Sequence, residues 1–325
     1  MPTSSPQRWY RRLAIRVPRV AAANPAPNRA DALARLEALR ALDEGLPEAT
    51  HTLLLEPQRP IGPTIVLWHG FTNAPSQFGP AAERLQAMGY RVLVPRMPRH
   101  GLADVLNRDL AALTEAELCT HAEDVIDIAA GLGSDVWVVG LSAGGVLAAW
   151  AAATRAEVSR LLLIAPLIGP KGFPMPAVRL AVKFPKLIPN FYLWWDPRLK
   201  ANLGHSPYAY PGFPLPGVIR FLHLSESMFD GSVPAAHRLE RAVLVTNPSD
   251  LAVRADAATE FAARVFKSDA DFYAHLSVER GLKWTHDFVD PWSPDGATPD
   301  QVVAVLAAGL GVGDPSAHEL LGTAD

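Results

Sequence analysis

The chain contains a single cysteine, Cys119, among its 325 residues. One thiol cannot form a disulfide within the chain, and it rules out metal sites built from several cysteines. A chain without disulfides suits a reducing compartment. Cys119 lies in a predicted helix, where we expect a buried and unreactive thiol.

Long apolar runs are missing as well. No stretch of about 18 apolar residues occurs, so no transmembrane helix is predicted. The basic N-terminus lacks the apolar segment of a secretion signal, because arginines interrupt it. Histidine pairs at the H-x-x-x-H spacing are absent too, so a zinc site has no support. We therefore expect a cytoplasmic protein without a metal or other cofactor.

Charge of one sign is not in large excess, since the formal net charge is −3. We therefore expect no nucleic-acid partner. The charge is uneven, because residues 1–30 carry six arginines and no acidic residue. With Trp9 and Tyr10, this loosely held arm over 1–28 could contact an anionic membrane surface. The simpler alternative is a solvated arm, or one packed on the acidic remainder of the chain.

Strand-like and helix-like segments alternate over most of the chain. Helices are predicted over 31–42, where Asp31 would cap the first turn, and over 78–88, 115–130, 144–153, 256–266 and 301–310. Strands are predicted over 52–55, 64–68, 91–94, 135–139, 160–164, 242–246 and 271–277. Strands separated by helices in this order predict an α/β protein with a mostly parallel sheet flanked by helices.

Residues 166–238 interrupt the alternation. They hold 12 of the 30 prolines and 11 of the 26 aromatic residues. So many prolines are incompatible with continued strand–helix alternation, and long loops in compact folds are usually functional. We interpret the segment as an inserted lid over the carboxyl edge of the sheet, where open α/β sheets bind ligands. A second packing layer without a substrate role is the alternative.

The chain is accordingly divided into four parts. Residues 1–49 form a basic arm and a helix. Residues 50–165 and 239–312 form the core, residues 166–238 the lid, and residues 313–325 a C-terminal tail.

The strongest chemical signal is Gly140-Leu141-Ser142-Ala143-Gly144, a G-x-S-x-G motif. It follows the apolar run 136–139 and opens a predicted helix, which is the strand–turn–helix context of a nucleophile elbow. Such a turn strains the serine backbone and lifts its hydroxyl clear of the sheet. The motif therefore predicts Ser142 as a nucleophile, against the alternative of a tight turn without catalytic use.

A serine hydroxyl needs a base, and the base needs an orienting acid. In this arrangement the chain order is serine, acid, histidine. Asp250 follows the strand 242–246, and His286 follows the strand 271–277, so both are predicted to complete a triad with Ser142. The competing acids are Asp230, Asp287 and Asp290.

The other nine histidines have simpler interpretations. His69 and His100 each precede a glycine and are expected to shape loops, and His275 falls inside a strand. His205 and His223 lie in the lid, where packing is favoured over substrate contact. Surface positions are expected for the remaining four, which are His51, His121, His237 and His318.

Hydrolysis of an acyl group places negative charge on the former carbonyl oxygen, which two backbone N–H groups must bind. Ala143, the residue after the nucleophile, is expected to supply one. The loop after the strand 64–68 is expected to supply the other, from Phe71. Lid aromatic residues are expected to line an apolar substrate pocket: Phe184, Phe191, Tyr192, Trp194, Trp195 and Phe213.

These motifs resemble α/β-hydrolases of the bacterial carboxylesterase and monoacylglycerol-lipase type, which include serine-aminopeptidase-like members. Residues 70–75 (GFTNAP) are similar to the G-F-T-G-x-P segment of that family, 89–95 to its next strand, and His100-Gly101 to the end of its G-H-G. The resemblance covers about residues 50–310. It implies a triad of Ser142, Asp250 and His286, a helical cap and no cofactor.

The chain departs from the family pattern at four positions. Asn73 and Arg99 stand where glycines are expected, and Arg99 could narrow the site or bind an anionic group. Ala143 replaces a frequent Met or Gln. Asn247 stands where glycine often precedes the acid, and asparagine is the next best residue for a left-handed turn.

The expected activity is hydrolysis of carboxylic esters with apolar acyl groups, or of monoacylglycerol-like substrates, through an acyl-enzyme. A serine aminopeptidase or a thioesterase would use the same triad, because specificity is set by the pocket. A non-catalytic binding protein on a hydrolase fold remains the alternative from another class, although a broken triad would be its signature.

Overall fold

The computed structural model describes residues 20–185, 188–196, 206–233, 238–266, 271–313 and 319–324. Their strands are β1 Leu53–Leu55, β2 Thr64–Trp68, β3 Arg91–Val94, β4 Val136–Leu141, β5 Val158–Ile164, β6 Tyr192–Trp194, β7 Gly212–Pro214, β8 Arg241–Thr246, β9 Tyr273–Val278 and β10 Leu321–Thr323. Their α-helices are α1 Arg29–Arg40, α2 Gly79–Ala87, α3 Glu115–Leu132, α4 Ala143–Thr154, α5 Met175–Lys183, α6 Leu215–Phe229, α7 Ala255–Phe266 and α8 Pro299–Leu310.

Eight of the strands form one sheet in the order β1-β3-β2-β4-β5-β8-β9-β10. The six inner strands run parallel, and both edge strands pair antiparallel. The predicted α/β class with a mostly parallel sheet is therefore confirmed. The antiparallel edges were not predicted, and β10 comes from the stretch that the sequence indicated only as a tail.

Helices cover both faces of the sheet, so its central strands are buried on both sides. One apolar core lies between the sheet and α1, α3, α4, α6 and α7. The other lies between the sheet and α2 with α8. This double burial explains why β2, β3 and β4 are runs of apolar residues without alternation.

The predicted elements of the core are present, with ends that shift by at most two residues. The first helix begins at Arg29, and Asn28 rather than Asp31 is its N-cap, because the Asn28 side chain accepts a hydrogen bond from the Asp31 amide. Asparagine and aspartate cap equally well, so composition alone could not separate these two positions.

The insertion, residues 166–238, is more regular than its prolines suggested. It contains α5, α6 and the antiparallel hairpin β6–β7. Pro176 and Pro216 occupy the first turns of α5 and α6. A proline is tolerated there because the first-turn N–H groups have no helical partner. The strand–helix alternation of the core does not continue through the insertion, but its prolines still leave room for two helices and a strand pair.

The basic arm falls mostly outside the described residues, since 1–19 are not described. The remainder, 20–28, is not loosely held as predicted. It is fastened to α3, because the Ala21 amide donates to Glu123 and the Asn24 and Ala26 amides donate to Asp127. None of the helices in the described ranges is long and apolar enough to cross a membrane.

Candidate active site

Ser142 occupies the turn between β4 and α4, with φ 54° and ψ −115°. A positive φ is unfavourable for a residue with a side chain, and such strain costs about 1–3 kcal/mol. Two backbone hydrogen bonds hold the turn. The Ser142 amide donates to Ile164 at 3.0 Å, and the Leu167 amide donates to the Ser142 carbonyl at 2.9 Å. The predicted strand–turn–helix geometry is present around this serine.

The two glycines of the motif are required by close backbone packing. A Cβ on Gly140 would lie 2.1 Å from the Gly144 carbonyl oxygen. A Cβ on Gly144 would lie 2.2 Å from the carbonyl oxygen of Trp68 and 2.4 Å from that of His69. The start of α4 therefore sits directly against the end of β2, which brings the Ala143 amide towards the loop that carries Phe71.

Asp250 and His286 meet at the same edge of the sheet as Ser142. They follow β8 and β9, which are parallel neighbours, and β4 lies two strands from β8. The carboxyl ends of parallel strands share one edge, so the fold delivers all three loops there. The Asp250 carboxylate accepts a hydrogen bond from His286 Nδ1 at 2.6 Å.

Backbone donors fix the Asp250 carboxylate. Asp250 is 3 % exposed, and its Oδ1 accepts from the amides of Ala252 at 2.7 Å and Val253 at 3.0 Å. Burial acts to raise the pKa of this carboxyl, but the hydrogen bond and charge of His286, together with these amides, lower it below its usual value. Asp250 is therefore a carboxylate at neutral pH.

The same pair shifts the imidazole the other way. Burial acts to lower the pKa of His286, but the hydrogen bond and negative charge of Asp250 outweigh it and raise the pKa above 6.5. With its Nδ1 proton donated to Asp250, the neutral ring carries its lone pair on Nε2. His286 is thus oriented and made more basic, as a general base requires.

The competing acids have other partners. Asp230 ends α6 and accepts from the Ser232 amide. Asp290 accepts from the Asn73 side chain at 2.6 Å, and Asp287 lies 3.5 Å from the Gln77 amide nitrogen. Among these four carboxylates, Asp250 is the one bonded to His286.

Asn247 has a function that the sequence did not reveal. Its backbone is not left-handed, so the expected role as a glycine substitute was wrong. Instead its side-chain amide donates to the carbonyls of Trp284 at 2.8 Å and Thr285 at 3.1 Å. These residues directly precede His286. Asn247 therefore ties the loop of the acid to the loop of the histidine.

The loop after β2 presents the Phe71 amide. The Gly70 amide donates to Gln77 Oε1 at 2.7 Å, and His69 Nδ1 lies 2.9 Å from the Gly70 carbonyl oxygen. The amides of Phe71 and Ala143 have no hydrogen-bond partner within the described part of the chain. Two unpaired donors from these two loops are what an oxyanion hole needs.

Five of the six aromatic residues predicted to bind substrate fall into two groups. Phe213 and Trp195 pack on the Phe71 ring, with centroids 5.4 and 6.5 Å away. Tyr192 and Trp194 contact each other at 5.6 Å, and Phe191 is 61 % exposed. The structure therefore brings two of the six predicted substrate-binding side chains to the Phe71 loop.

Arg99 does not present a free cation to the site. Its backbone is left-handed, with φ 65°, which explains the expected glycine, and its guanidinium pairs with Glu117 at 2.8 Å. The neighbouring His100 is completely buried, and burial lowers its pKa to about 4. His69 is also buried and neutral, so both shape this region as predicted.

His121 was predicted at the surface, and this was wrong. It is buried in α3, and its Nε2 accepts a hydrogen bond from the Trp68 indole at 3.3 Å. Cys119 on the same helix is buried as expected, and burial raises the pKa of its thiol. His205, His237 and His318 lie outside the described residues.

In the described ranges, no group of three His, Cys, Asp or Glu side chains is placed so that it could hold a metal ion.

Three solved structures of similar fold are a lipolytic enzyme from a metagenome (LipS or LipT), a monoacylglycerol lipase of Paleococcus ferrophilus and Est1E of Butyrivibrio proteoclasticus. The first is 20% identical with a TM-score of 0.51, covering 69% of this chain and 87% of its own. The second is 15% identical with a TM-score of 0.52, covering 70% and 87%. The third is 17% identical with a TM-score of 0.52, covering 79% and 91%.

At such low identity these likenesses show the fold alone. No curated protein matches the chain by sequence. The model of the alpha/beta hydrolase family, however, matches residues 65–321, which is well over half of the 325 residues. Because that match spans most of the sheet, the serine turn and both loops of the Asp250–His286 pair, the chain belongs to the alpha/beta hydrolase family.

Proposed function

We propose that the protein hydrolyses carboxylic esters through an acyl-enzyme formed on Ser142. The observation that carries the proposal is the 2.6 Å hydrogen bond from His286 Nδ1 to the buried Asp250 carboxylate, at the sheet edge where the strained Ser142 turn lies. A serine elbow and an oriented histidine–aspartate pair together have one well-understood use, which is to activate a hydroxyl for acyl transfer.

The reaction divides into two steps. In the first, His286 Nε2 takes the Ser142 proton as the Ser142 Oγ–acyl carbon bond forms, and then returns that proton to the departing alcohol. In the second, water loses a proton to His286 as it attacks the acyl-enzyme, and Ser142 Oγ leaves with that proton. Asp250 stabilises the imidazolium in both steps. The amides of Phe71 and Ala143 would bind the oxyanion.

Apolar acyl groups are the proposed substrates. The insertion exposes large apolar side chains, among them Phe191 at 61 %, Leu193 at 36 % and Trp195 at 44 %. Leu251, which follows the proposed acid, is 84 % exposed. Exposed apolar surface on the insertion, with Trp195 packed at the Phe71 loop, favours an acyl chain over a charged or highly polar substrate.

The experiment combines an active-site probe with a substrate panel. A fluorophosphonate should label the parent protein at Ser142 and fail to label Ser142→Ala. The same substitution should lower kcat by about 10⁶, as loss of a triad nucleophile does elsewhere. The panel contains esters of graded acyl length, thioesters and aminoacyl amides.

Esters of medium or long apolar acids should be the best substrates. Faster turnover of aminoacyl amides or thioesters would overturn the ester assignment while leaving Ser142 as the nucleophile. Labelling that persists in Ser142→Ala would mean that another residue reacts.

A further inference from the structure

Thr72, next to Phe71, is held in a costly backbone conformation. Its φ is 67°, and a β-branched residue at positive φ is a genuine outlier. Such strain persists only where the surrounding structure determines it strongly. The contacts that hold Thr72 should therefore show what keeps the Phe71 loop in shape.

Two of those contacts come from the insertion. The Tyr210 amide donates to the Thr72 carbonyl at 2.8 Å. The Trp195 indole donates to Thr72 Oγ1, also at 2.8 Å. Both donors lie in the stretch that joins β6 to β7, so this stretch is bonded to the Phe71 loop by backbone and side chain.

The indole bond also sets the direction of the hydroxyl proton. Thr72 Oγ1 accepts from Trp195 and donates to the Phe71 carbonyl at 2.5 Å. A hydroxyl has one proton, and hydrogen bonds in such a chain polarise and strengthen one another. The Phe71–Thr72 peptide is therefore held by a chain of hydrogen bonds that begins in the insertion. The preceding Gly70–Phe71 peptide is contacted at its Gly70 carbonyl by His69.

We propose that Trp195 is a positioning residue for the oxyanion hole, which acts through the Thr72 hydroxyl to hold the Phe71 amide in place. The proposal rests on the proposed function, because it assumes that the Phe71 amide binds the oxyanion. It assigns the indole N–H of Trp195 a task separate from any contact of its ring with substrate. The insertion would then contribute to the rate as well as to specificity.

The test compares the parent with Trp195→Phe, Thr72→Val, their double variant and Thr72→Ser. The matched control is Trp137→Phe, which also loses a 2.8 Å indole hydrogen bond, to Asp135, but near the amino end of β4. Two rates are measured, kcat for a soluble short-chain ester and the rate of fluorophosphonate labelling. Labelling needs the serine and the oxyanion hole but not the ester specificity.

We expect Trp195→Phe to lower both rates about tenfold with KM changed less than twofold, since loss of a whole oxyanion donor costs about 10²–10³. The double variant should be no slower than Thr72→Val, because both substitutions break one chain of bonds. Thr72→Ser keeps the hydroxyl and should retain most of the rate. Trp137→Phe should leave both rates unchanged.

Three results would overturn the proposal. A rise in KM with unchanged kcat would make Trp195 a substrate contact only. Additive losses in the double variant would show that Trp195 does not act through Thr72. An equal loss in Trp137→Phe would show a general effect of lost stability.

The two proposals fail in different ways. Labelling that depends on Trp195, without turnover of any ester, would overturn the ester assignment and support the positioning role. A parent protein that is not labelled at all would overturn both.

Discussion

The carboxyl edge of the sheet and the insertion beside it are built from different kinds of contact. Every residue of β4 is buried, as are residues 143–153 of α4, so the serine turn is fixed between packed backbones. The insertion leaves Phe173, Leu180 and Phe191 more than half exposed. Near the site it is attached by two hydrogen bonds to Thr72, by hydrogen bonds of the Tyr210 hydroxyl with the backbone of Arg99 and Leu102, and by three rings that pack on Phe71.

This difference leads to an expectation about which region carries the chemistry and which sets the choice of substrate. At the sheet edge, a methyl group added to Gly140 or Gly144 would overlap backbone atoms, so few substitutions are compatible with the geometry of the serine turn. In the insertion, exposed apolar side chains can change size without displacing the backbone. We therefore expect substitutions at the edge to abolish turnover and most substitutions in the insertion to change which acyl chain is preferred.

After loss of Ser142 itself, the largest effect is expected from Asp250→Asn. Loss of the carboxylate leaves His286 without its orienting charge, which costs about 10⁴ in kcat in the serine-protease precedent. The matched control is Asp230→Asn, since asparagine can still accept the Ser232 amide there. Steady-state kinetics on one ester give both values. A sensitive Asp230 with a tolerant Asp250 would show that the acid is wrongly assigned.

A smaller loss is expected from Asn247→Ala. The substitution removes the two bonds that tie the acid loop to the carbonyls before His286. A misplacement of about 1 Å can cost about 10² in rate, so we expect kcat to fall by ~10–10² with little change in KM. Asn28→Ala is the control, because it removes a helix cap far from the site and should reduce thermal stability alone. Equal kcat losses in both variants would contradict this role for Asn247.

Phe191→Ala tests the insertion itself. If the exposed ring binds acyl chains, its loss should lower kcat/KM several-fold for long-chain esters and leave acetate esters unchanged, because a lost apolar contact is worth about 1–3 kcal/mol. Ile61→Ala is the control, since Ile61 is comparably exposed, at 54 %, but lies before β2 at its amino end. A uniform loss over all chain lengths would count against a selectivity role.

The smallest expected effect is a shift in the pH dependence of kcat/KM. Since Asp250 raises the pKa of His286 above 6.5, kcat/KM should fall as the pH drops through that raised value, because a protonated ring cannot accept the Ser142 proton. Asp250→Asn removes the charge, so the acid limb of its residual activity should move to lower pH. Asp230→Asn should leave the limb in place. An acid limb of the parent protein centred at or below pH 6.5 would contradict the effect of Asp250 on the pKa of His286.

Sequence by itself determined the class of fold and the position of the strained serine turn. Alternating apolar strands and helices require a buried parallel sheet, and the G-x-S-x-G string leaves room for a strained turn where a larger residue would clash. Asp250 and His286 were also found from the sequence, because chain order and strand ends place both residues at one edge. Each of these patterns can be recognised from residues that lie close together in the sequence.

Only the tertiary structure decided the contacts between distant segments. Trp68 reaches His121 across 53 residues, Asn247 reaches Thr285 across 38, and Trp195 reaches Thr72 across 123. The sequence predicted a surface position for His121 and a substrate contact for Trp195, and the family resemblance implied a left-handed Asn247, but none of these three hydrogen bonds was predicted. A polar side chain that becomes buried takes the partner that packing brings within about 3 Å. That partner is set by how the sheet, helices and insertion pack together, which no local pattern of residues encodes.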